Sequence, residues 1–302
     1  MKSITSRDNA FFKKLIKLAG STKERKAAGL TLLDGVHLIN AYHRALGHPD
    51  SLIVSESGNA DPEIKCLLAE QQAEADIKVV MLPDSLFREV SPVKTPTGIL
   101  ALVSVPPSPT PLSASLSASV PVSVPASLAN PLPASLSAAL PMRKKEAGEP
   151  FWVLLEAIQD PGNLGSILRS AAAAGAGDVY LSEGCADTWS PKTLRAAMGA
   201  HFLLRIHEQS DLAGVARAFS GRVIATTLKA ETSLYQTALT GPVAFVFGNE
   251  GAGLSDAILK ASSERISIPM PGGTESLNAA AAAAVCFFEK VRQAAIRVDP
   301  TA

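Results

Sequence analysis

Cysteine and net charge are both scarce in this chain of 302 residues. Its three cysteines, Cys66, Cys185 and Cys286, stand too far apart for a Cys-x-x-Cys ligand pair, and an odd number does not indicate a set of disulfides. We therefore expect a reducing compartment, the cytoplasm. Because 28 basic side chains are balanced by 28 acidic ones, the overall charge does not indicate a polyanionic partner.

Long apolar runs are absent as well. No segment offers the roughly 18 uninterrupted apolar residues of a membrane span, and the first 26 residues carry charges where a signal peptide would be apolar. We expect a soluble, unexported protein with no membrane partner. The histidines stand apart from any cysteine or carboxylate pattern, so we predict no metal site and expect surface or packing roles for His37, His43, His48, His201 and His207.

Charge is missing altogether from residues 105–142, which hold nine of the 21 prolines. Proline interrupts helices and central strands, and the many Ser and Ala residues bury too little apolar area to offset the entropy of ordering. We interpret residues 105–149 as a flexible linker between domains at residues 1–104 and 150–302. Its span of about 35 Å would let the domains reorient on a large substrate. A segment bound to a partner is the alternative.

Apolar runs alternate with helix-like segments on both sides of this linker. Before it, we predict strands at residues 30–33, 51–54, 78–82 and 99–103, and helices at residues 36–46 and 63–72. After it, we predict strands at residues 152–158, 179–181, 223–226, 243–247 and 266–268, and helices at residues 164–174, 191–198, 211–219 and 276–292. The pattern predicts an α/β protein: a small α/β unit, then a parallel sheet with helices on both faces.

The basic residues are concentrated at the N-terminus. Residues 1–30 contain eight basic side chains and only two acidic ones. This excess, most of it at residues 13–26, suits contacts with phosphates, although many basic helix faces are simply solvated surface.

Glycines follow two of the predicted strands of the second domain. The strand at residues 243–247 leads into residues 248–255, where three glycines let the backbone turn sharply and approach a ligand. The strand that ends at Ile268 leads into Pro269, Met270 and a glycine pair, and an Ala-rich helix is predicted from Ser276. These segments would face one crevice, the usual ligand position in an open α/β sheet.

Several polar residues near these segments have two interpretations. Asn163 and Arg169 follow a turn at residues 160–162; either Asn163 caps the helix and Arg169 pairs with a surface carboxylate, or both belong to a functional site. Glu250 is either a helix-start residue or a site residue. Ser276 is either the N-cap of the last helix or a site residue.

Three sequence blocks together resemble the SpoU (TrmH-type) branch of the SPOUT methyltransferases. The blocks are residues 160–169, residues 248–251, and residues 268–270 together with 276–278. Members of this family methylate the ribose 2'-hydroxyl of RNA with S-adenosylmethionine. The resemblance extends over about residues 150–292, and residues 94–101 resemble the end of the family's small substrate-binding domain.

The resemblance implies a fold and a set of site residues. The fold is a C-terminal parallel-sheet SPOUT domain with a trefoil knot, packed as a homodimer, plus a small N-terminal α/β (L30e-like) domain that binds RNA. The implied catalytic positions are Asn163, Arg169, Glu250, Ser276 and Asn278, with the arginine acting across the dimer interface. The implied donor-binding positions are the backbone groups of Gly248, Ile268 and Leu277, with Met270 close by.

Methyl transfer to a ribose hydroxyl is an in-line displacement, so positioning carries much of the rate and no metal is needed. Since an arginine is essentially always protonated, Arg169 is a poor general base. We expect it to bind the phosphate beside the target ribose and to stabilise the developing alkoxide, while a neighbouring oxygen or water takes the proton. Glu250 would orient Arg169 or hold a ribose hydroxyl.

We therefore predict an S-adenosylmethionine-dependent RNA 2'-O-ribose methyltransferase, acting on ribosomal RNA in preference to transfer RNA. Transfer RNA remains an alternative substrate. A catalytically silent RNA-binding or ribosome-assembly protein with the same fold is a second alternative. A dinucleotide-binding enzyme is a third, but the chain lacks a Gly-x-Gly-x-x-Gly turn after an early strand.

Overall fold

The computed structural model describes residues 1–93, 95–107, 109 and 149–298, with the backbone alone at residues 296–298. Nearly all of the predicted linker, residues 105–149, lies outside the described residues, so the linker and the domain boundaries stay predictions. Within the described ranges, no helix has both the length and the apolar character that crossing a membrane requires.

The N-terminal domain is a five-stranded mixed sheet with helices on both faces. Its strands are β1 (Lys2–Ser3), β2 (Leu30–Asp34), β3 (Ser51–Ser55), β4 (Lys78–Leu82) and β5 (Ile99–Ser104). Its helices are α1 (Ala10–Gly20), α2 (Thr22–Ala28), α3 (Val36–Leu46), α4 (Pro62–Glu74) and α5 (Asp84–Val90). The strand order is β1-β4-β3-β5-β2, and β5 runs antiparallel to both of its neighbours. The predicted α/β unit is confirmed.

Alternation along β2 shows how one strand contributes to two cores. Successive side chains of a strand point to opposite faces. Leu32 packs on one face with Phe12 of α1, whereas Leu33 packs on the other with Leu38 of α3. Both leucines are fully buried, and burial of such a side chain contributes roughly 1.5–3 kcal/mol.

The C-terminal domain is a six-stranded sheet in which every pairing is parallel. Its strands are β6 (Phe151–Leu155), β7 (Asp178–Leu181), β8 (Arg205–His207), β9 (Arg222–Thr226), β10 (Val243–Phe247) and β11 (Glu264–Ile266). Its helices are α6 (Pro161–Ala173), α7 (Pro191–Ala197), α8 (Leu212–Ala218), α9 (Asp256–Ala261) and α10 (Ala279–Val298). The order is β11-β9-β10-β6-β7-β8, with a hydrophobic core on each face. The predicted parallel sheet is confirmed, while the trefoil knot stays a prediction.

Several local features of this domain differ from the sequence-based expectation; the strand β6, for example, ends at Leu155 instead of residue 158. The strand β11 ends at Ile266, two residues before the predicted end, and α10 begins at Ala279 instead of Ser276. The elements β8 and α9 were not predicted. They have three and six residues, which is too short for hydrophobic periodicity to distinguish them from a loop.

The two domains are packed against each other through α7. Leu194 of α7 lies in the hydrophobic core of the N-terminal domain, and Tyr42 of α3 meets the ring of Phe202 edge-on at 5.5 Å. Arg25 of α2 forms a buried ion pair with Asp187, in which both side chains are less than one-tenth exposed. This arrangement differs from the expectation that the domains reorient freely, because separating them would expose an apolar surface and a desolvated ion pair.

Candidate active site

A cavity of about 650 Å³ lies where β9, β10 and β11 end. The strands are parallel, so their carboxyl ends share one edge of the sheet, which is where open α/β sheets bind ligands. The loops after these strands line the cavity together with the start of α10, and they contribute residues 226–229 and 247–254, then Arg265, Ile266, Ile268, Met270, Ser276, Leu277, Ala279 and Ala282. The volume lies within the range of about 300–1,000 Å³ that is usual for small-molecule sites.

Six of the nine residues predicted for the site line this cavity. They are Gly248, Glu250, Ile268, Met270, Ser276 and Leu277. The expectation that two strand ends and the start of the last helix face one crevice is therefore confirmed. The three remaining residues, Asn163, Arg169 and Asn278, lie outside the lining.

Gly248 is required by the tight fold of the loop after β10. A Cβ at this position would lie 2.5 Å from the carbonyl oxygen of Gly253 and 2.8 Å from the nitrogen of Leu254. Real Cβ atoms do not approach backbone so closely, and Gly253 itself has a φ of +72° that favours glycine. The loop thus folds back on itself and presents backbone groups to the cavity.

Asn249 organises this loop, and the sequence-based prediction missed it. Its Nδ2 donates to the carbonyl oxygen of Ala157 at 2.9 Å, and its Oδ1 accepts from the nitrogens of Gly251 and Ala252, both at 2.9 Å. Ala157 follows β6 and has a positive φ of 51°. The Asn249 side chain therefore fastens the glycine loop to the end of β6 and fixes the backbone on both sides of Glu250.

Glu250, Asn163 and Asn278 form one hydrogen-bonded chain beside the cavity. The Nδ2 of Asn163 donates to Oε1 of Glu250 at 2.7 Å, and the Nδ2 of Asn278 donates to Oδ1 of Asn163 at 2.8 Å. Asn163 lies 87 residues from Glu250 and 115 residues from Asn278 in sequence. The three motif blocks thus meet at the amide of Asn163, which acts as both donor and acceptor.

The structure excludes the capping and helix-start interpretations for three of these residues, while their functional roles stay predictions. Asn163 does not cap α6, because the carboxylate of Asp160 accepts from its backbone nitrogen at 2.8 Å. Ser276 is not the N-cap of α10, because Oδ1 of Asn278 accepts from the nitrogen of Ala280 at 2.9 Å. Glu250 is not a helix-start residue either, since α9 begins only at Asp256.

Arg169 lies on α6 with its side chain exposed. Within the described ranges it has neither a hydrogen bond nor an ion pair, so the interpretation that it pairs with a surface carboxylate is not supported. Glu250 contacts Asn163 and does not orient Arg169 within the same chain. The guanidinium is thus free to meet an anion or a second chain.

Two cationic residues of the cavity were not predicted. Lys229 follows β9, Arg265 belongs to β11, and both are exposed and line the cavity. The predicted strand at residues 223–226 could have indicated Lys229, because the residues that follow a parallel strand lie at the same edge of the sheet as the glycine loop. Thr226 and Thr227 line the cavity for the same reason.

Comparison with known families matches both halves of the chain. Residues 150–288 match the SpoU rRNA Methylase family, and residues 9–101 match the MRM3-like substrate binding domain. The 23S rRNA (guanosine(2553)-2'-O)-methyltransferase RlmP of Bacillus subtilis is 28% identical, over 95% of this chain and 98% of that protein.

Two solved structures are similar along nearly the whole chain. The crystal structure of an RNA 2'-O ribose methyltransferase has a TM-score of 0.74 at 26% identity and covers 97% of this chain and 99% of its own. The SpoU methyltransferase AviRb from Streptomyces viridochromogenes, in complex with the cofactor AdoMet, has a TM-score of 0.71 at 26% identity and covers 95% of this chain and 99% of its own. Together with the matched domains and the three motif blocks that meet at Asn163, these similarities show that the chain belongs to the SpoU (TrmH-type) family of RNA 2'-O-ribose methyltransferases.

Proposed function

We propose that this protein transfers a methyl group from S-adenosylmethionine to a ribose 2'-hydroxyl of ribosomal RNA. The observation that carries the proposal is the hydrogen-bonded chain of Glu250, Asn163 and Asn278 beside a cavity built from three strand ends. This arrangement places polar groups that can hold a hydroxyl next to a pocket that can hold a donor. The RNA substrates named for the relatives support the same reaction.

The cavity fits a methyl donor that carries a purine, a ribose and an aliphatic chain. Its lining combines apolar side chains such as Ile268, Met270 and Leu277 with the backbone of the glycine loop at Gly248. Backbone groups can bind the polar atoms of such a donor while the apolar side chains pack on its base. When bound, S-adenosylmethionine supplies an electrophilic methyl group on a sulfonium.

The acceptor hydroxyl would lie against the chain of polar side chains. In the reaction a bond forms between the 2'-oxygen and the methyl carbon, the carbon–sulfur bond breaks, and the hydroxyl proton leaves. The second carboxylate oxygen of Glu250 has no hydrogen bond among the described residues, so it is available to hold the hydroxyl or to accept its proton. Asn163 and Asn278 fix the position of that carboxylate, and Ser276 at the cavity rim is a further polar contact.

Arg169 would bind the phosphate beside the target ribose. A guanidinium forms paired hydrogen bonds with phosphate oxygens and stays protonated, so it stabilises the alkoxide that develops as the proton leaves. Because its side chain is exposed and does not line the cavity of its own chain, we propose that it acts at the cavity of a second chain.

A homodimer would bring this arginine into place. The exposed side of α10 carries apolar residues 281, 288, 291 and 295 at helical spacing, beside Arg292, which pairs with Glu289. Phe288 is 49% exposed and Val291 is 37% exposed. The same helix packs against α6, which carries Arg169, so a second copy docked on α10 would meet Arg169. The exposed apolar side chains of α10 are explained if a second copy of the chain covers them.

The N-terminal domain would guide the RNA. Lys14, Lys17, Lys23 and Lys26 are exposed on α1 and α2, and such side chains neutralise phosphates. Arg25 is an exception to the predicted basic region, since its charge is buried against Asp187 and is not available to RNA. The RNA substrate and the free state of Cys66, Cys185 and Cys286 favour the cytoplasm.

The test is transfer of a labelled methyl group from S-adenosylmethionine to total RNA from cells that lack the gene. We expect the wild type to label ribosomal RNA and the Arg169→Ala variant to fail while still binding the donor. Labelling of transfer RNA alone would show that the substrate is transfer RNA and not ribosomal RNA. Donor binding without labelling of free RNA or ribosomal particles would favour a silent RNA-binding or assembly protein and would contradict the proposal.

A further inference from the structure

Two histidines and a glutamate meet on the N-terminal domain, although the sequence showed no such pattern. His43 lies on α3, His48 follows the helix, and Glu74 is the last residue of α4. The Nε2 atoms of His43 and His48 lie 3.1 Å and 3.9 Å from the same oxygen, Oε2 of Glu74. The expectation that the histidines stand apart from carboxylates is therefore wrong for this pair.

The spacing of these atoms matches the coordination shell of a transition-metal ion. One ligand atom from each residue lies within 4.8 Å of the other two. In a tetrahedral zinc site with bonds of about 2.0–2.1 Å, neighbouring ligand atoms are about 3.3 Å apart. The two measured distances lie on either side of that value, so small rotations of the exposed His48 and Glu74 side chains about the half-buried His43 would complete the geometry.

Gln71 indicates which nitrogen of His48 is free. Its Oε1 lies 3.3 Å from Nδ1 of His48, and an amide oxygen accepts hydrogen bonds only, so Nδ1 carries the proton in this arrangement. In the neutral ring, Nε2 then turns a lone pair toward the Glu74 carboxylate, and two electron-rich atoms face each other. A metal-bound histidine has the same arrangement, in which the other ring nitrogen donates to a buried oxygen. Gln71 is 1% exposed and is therefore held in place by the core.

We propose that His43, His48 and Glu74 bind a divalent transition-metal ion of the Zn²⁺ class, with a water molecule as the fourth ligand. The ion would fasten the end of α3 to the end of α4. Tyr42 of α3 packs on Phe202 of the C-terminal domain, so the ion would also support the face on which the two domains meet. The site is separate from the donor cavity, and it takes no part in methyl transfer.

The test uses the full chain without a histidine tag, freed of metal by chelation, in a Cys66→Ser background because Cys66 is an exposed free thiol. Zn²⁺ is titrated by calorimetry, and Co²⁺ is followed by the visible absorption of tetrahedral cobalt. We expect one ion per chain and a rise in melting temperature with Zn²⁺. His48→Gln should abolish both effects.

Two further variants separate ligation from a structural effect. Gln71→Met keeps the ligands but removes the partner of His48, and it should weaken Zn²⁺ binding by about 10–100-fold. His37→Gln removes an exposed histidine from the same helix and should leave binding unchanged. The absence of saturable binding in the parent protein, or equal affinity in the parent and His48→Gln, would overturn the proposal.

Discussion

The amide of Asn163 connects the segments that build the active site. It donates to Glu250 on the glycine loop and accepts from Asn278 at the start of α10, at 2.7 Å and 2.8 Å. The carboxylate of Glu250 thus has one oxygen occupied, while its other oxygen has no hydrogen bond among the described residues. At the scale of single residues, the site therefore depends on orientation more than on an unusual side chain.

Asn163→Leu should keep donor binding and lose catalysis. Leucine has a similar size but neither donates to Glu250 nor accepts from Asn278, so the carboxylate loses its fixed position. We expect kcat to fall by about 100-fold, the order found when a single transition-state hydrogen bond is removed. Since Asn163 does not line the cavity, the dissociation constant for S-adenosylmethionine should stay the same, as calorimetry would show. Ser170→Ala on the same helix is the control, and an equal loss there would indicate a general effect on α6.

Arg169→Ala and Asn163→Leu together test whether the arginine acts across the dimer. Mixing the two nearly inactive variants produces dimers in which one of the two sites has both intact residues if Arg169 comes from the partner. Since about half of the dimers are mixed, activity should return to about a quarter of the wild-type value. Mixtures that remain inactive, despite subunit exchange verified by mass spectrometry, would show that Arg169 acts within its own chain.

At the scale of elements, the proposals on donor binding and assembly rest on the loop after β10 and the helix α10. Both lie at the carboxyl edge of a parallel sheet, where loop conformation is set by a few backbone requirements. The loop needs Gly248 because of its approach to Gly253. The helix leaves apolar side chains uncovered in a single chain.

Gly248→Ala should abolish donor binding. The added Cβ would meet backbone atoms at 2.5 Å, which cannot move away as a flexible side chain would. We expect a loss of about 1–3 kcal/mol in the free energy of unfolding, as for other overpacked sites, together with loss of S-adenosylmethionine binding in calorimetry. Gly272→Ala is the matched control, because a Cβ there meets nothing within 4 Å. Normal donor binding by Gly248→Ala would contradict the loop geometry.

Phe288→Asp should produce a monomer. The side chain is 49% exposed on the apolar face of α10, and a charge at the centre of a dimer interface would be buried without a partner. Light scattering after size exclusion should show half the mass of the wild type, with methyl transfer lost and folding retained. Leu203→Asp, at a site that is 73% exposed away from α10, should leave the mass unchanged. A dimeric Phe288→Asp protein would place the interface elsewhere.

At the scale of the whole molecule, the contact between the two domains holds a titratable group. His201 is buried beside this contact, and its Nε2 donates to the carbonyl oxygen of Thr188 at 2.8 Å. Its Nδ1 has no hydrogen-bond partner among the described residues. Burial lowers the pKa of His201 from 6.5 to about 4. The folded protein therefore keeps this ring neutral.

Stability should fall as the pH is lowered from 6.5 toward 4. In this range the unfolded chain binds a proton at His201 and the folded chain does not, so unfolding is favoured by acid. The pKa difference corresponds to about 3 kcal/mol in the free energy of unfolding, most of which denaturant titrations between neutral pH and pH 4.5 would measure. His201→Gln should lose this part of the pH dependence. If the free energy of unfolding of His201→Gln depends on pH as strongly as that of the wild type, other groups cause the pH dependence.

Much of this architecture could be predicted because it rests on regular patterns. The strand at residues 243–247 and the helix at residues 36–46 were predicted with the observed bounds, since apolar periodicity determines both. The crevice at the carboxyl edge of the sheet could be predicted because parallel strands all end at the same edge. Asn249 belongs to the motif block at residues 248–251, but its role could not be predicted, because it depends on a contact with Ala157, which is 92 residues away. The meeting of His43 and His48 with Glu74 was hidden for the same reason.

The most direct measurement is the position of the methyl group in the product. Methylated RNA from the wild-type reaction would be digested to nucleosides and analysed by mass spectrometry, alongside a test of resistance to alkaline cleavage. We expect one methyl group on the 2'-oxygen of a ribose at a single alkali-resistant site, and about 100-fold slower formation of this product with Asn163→Leu. A methyl group on a base, or donor binding without any transfer, would contradict this expectation.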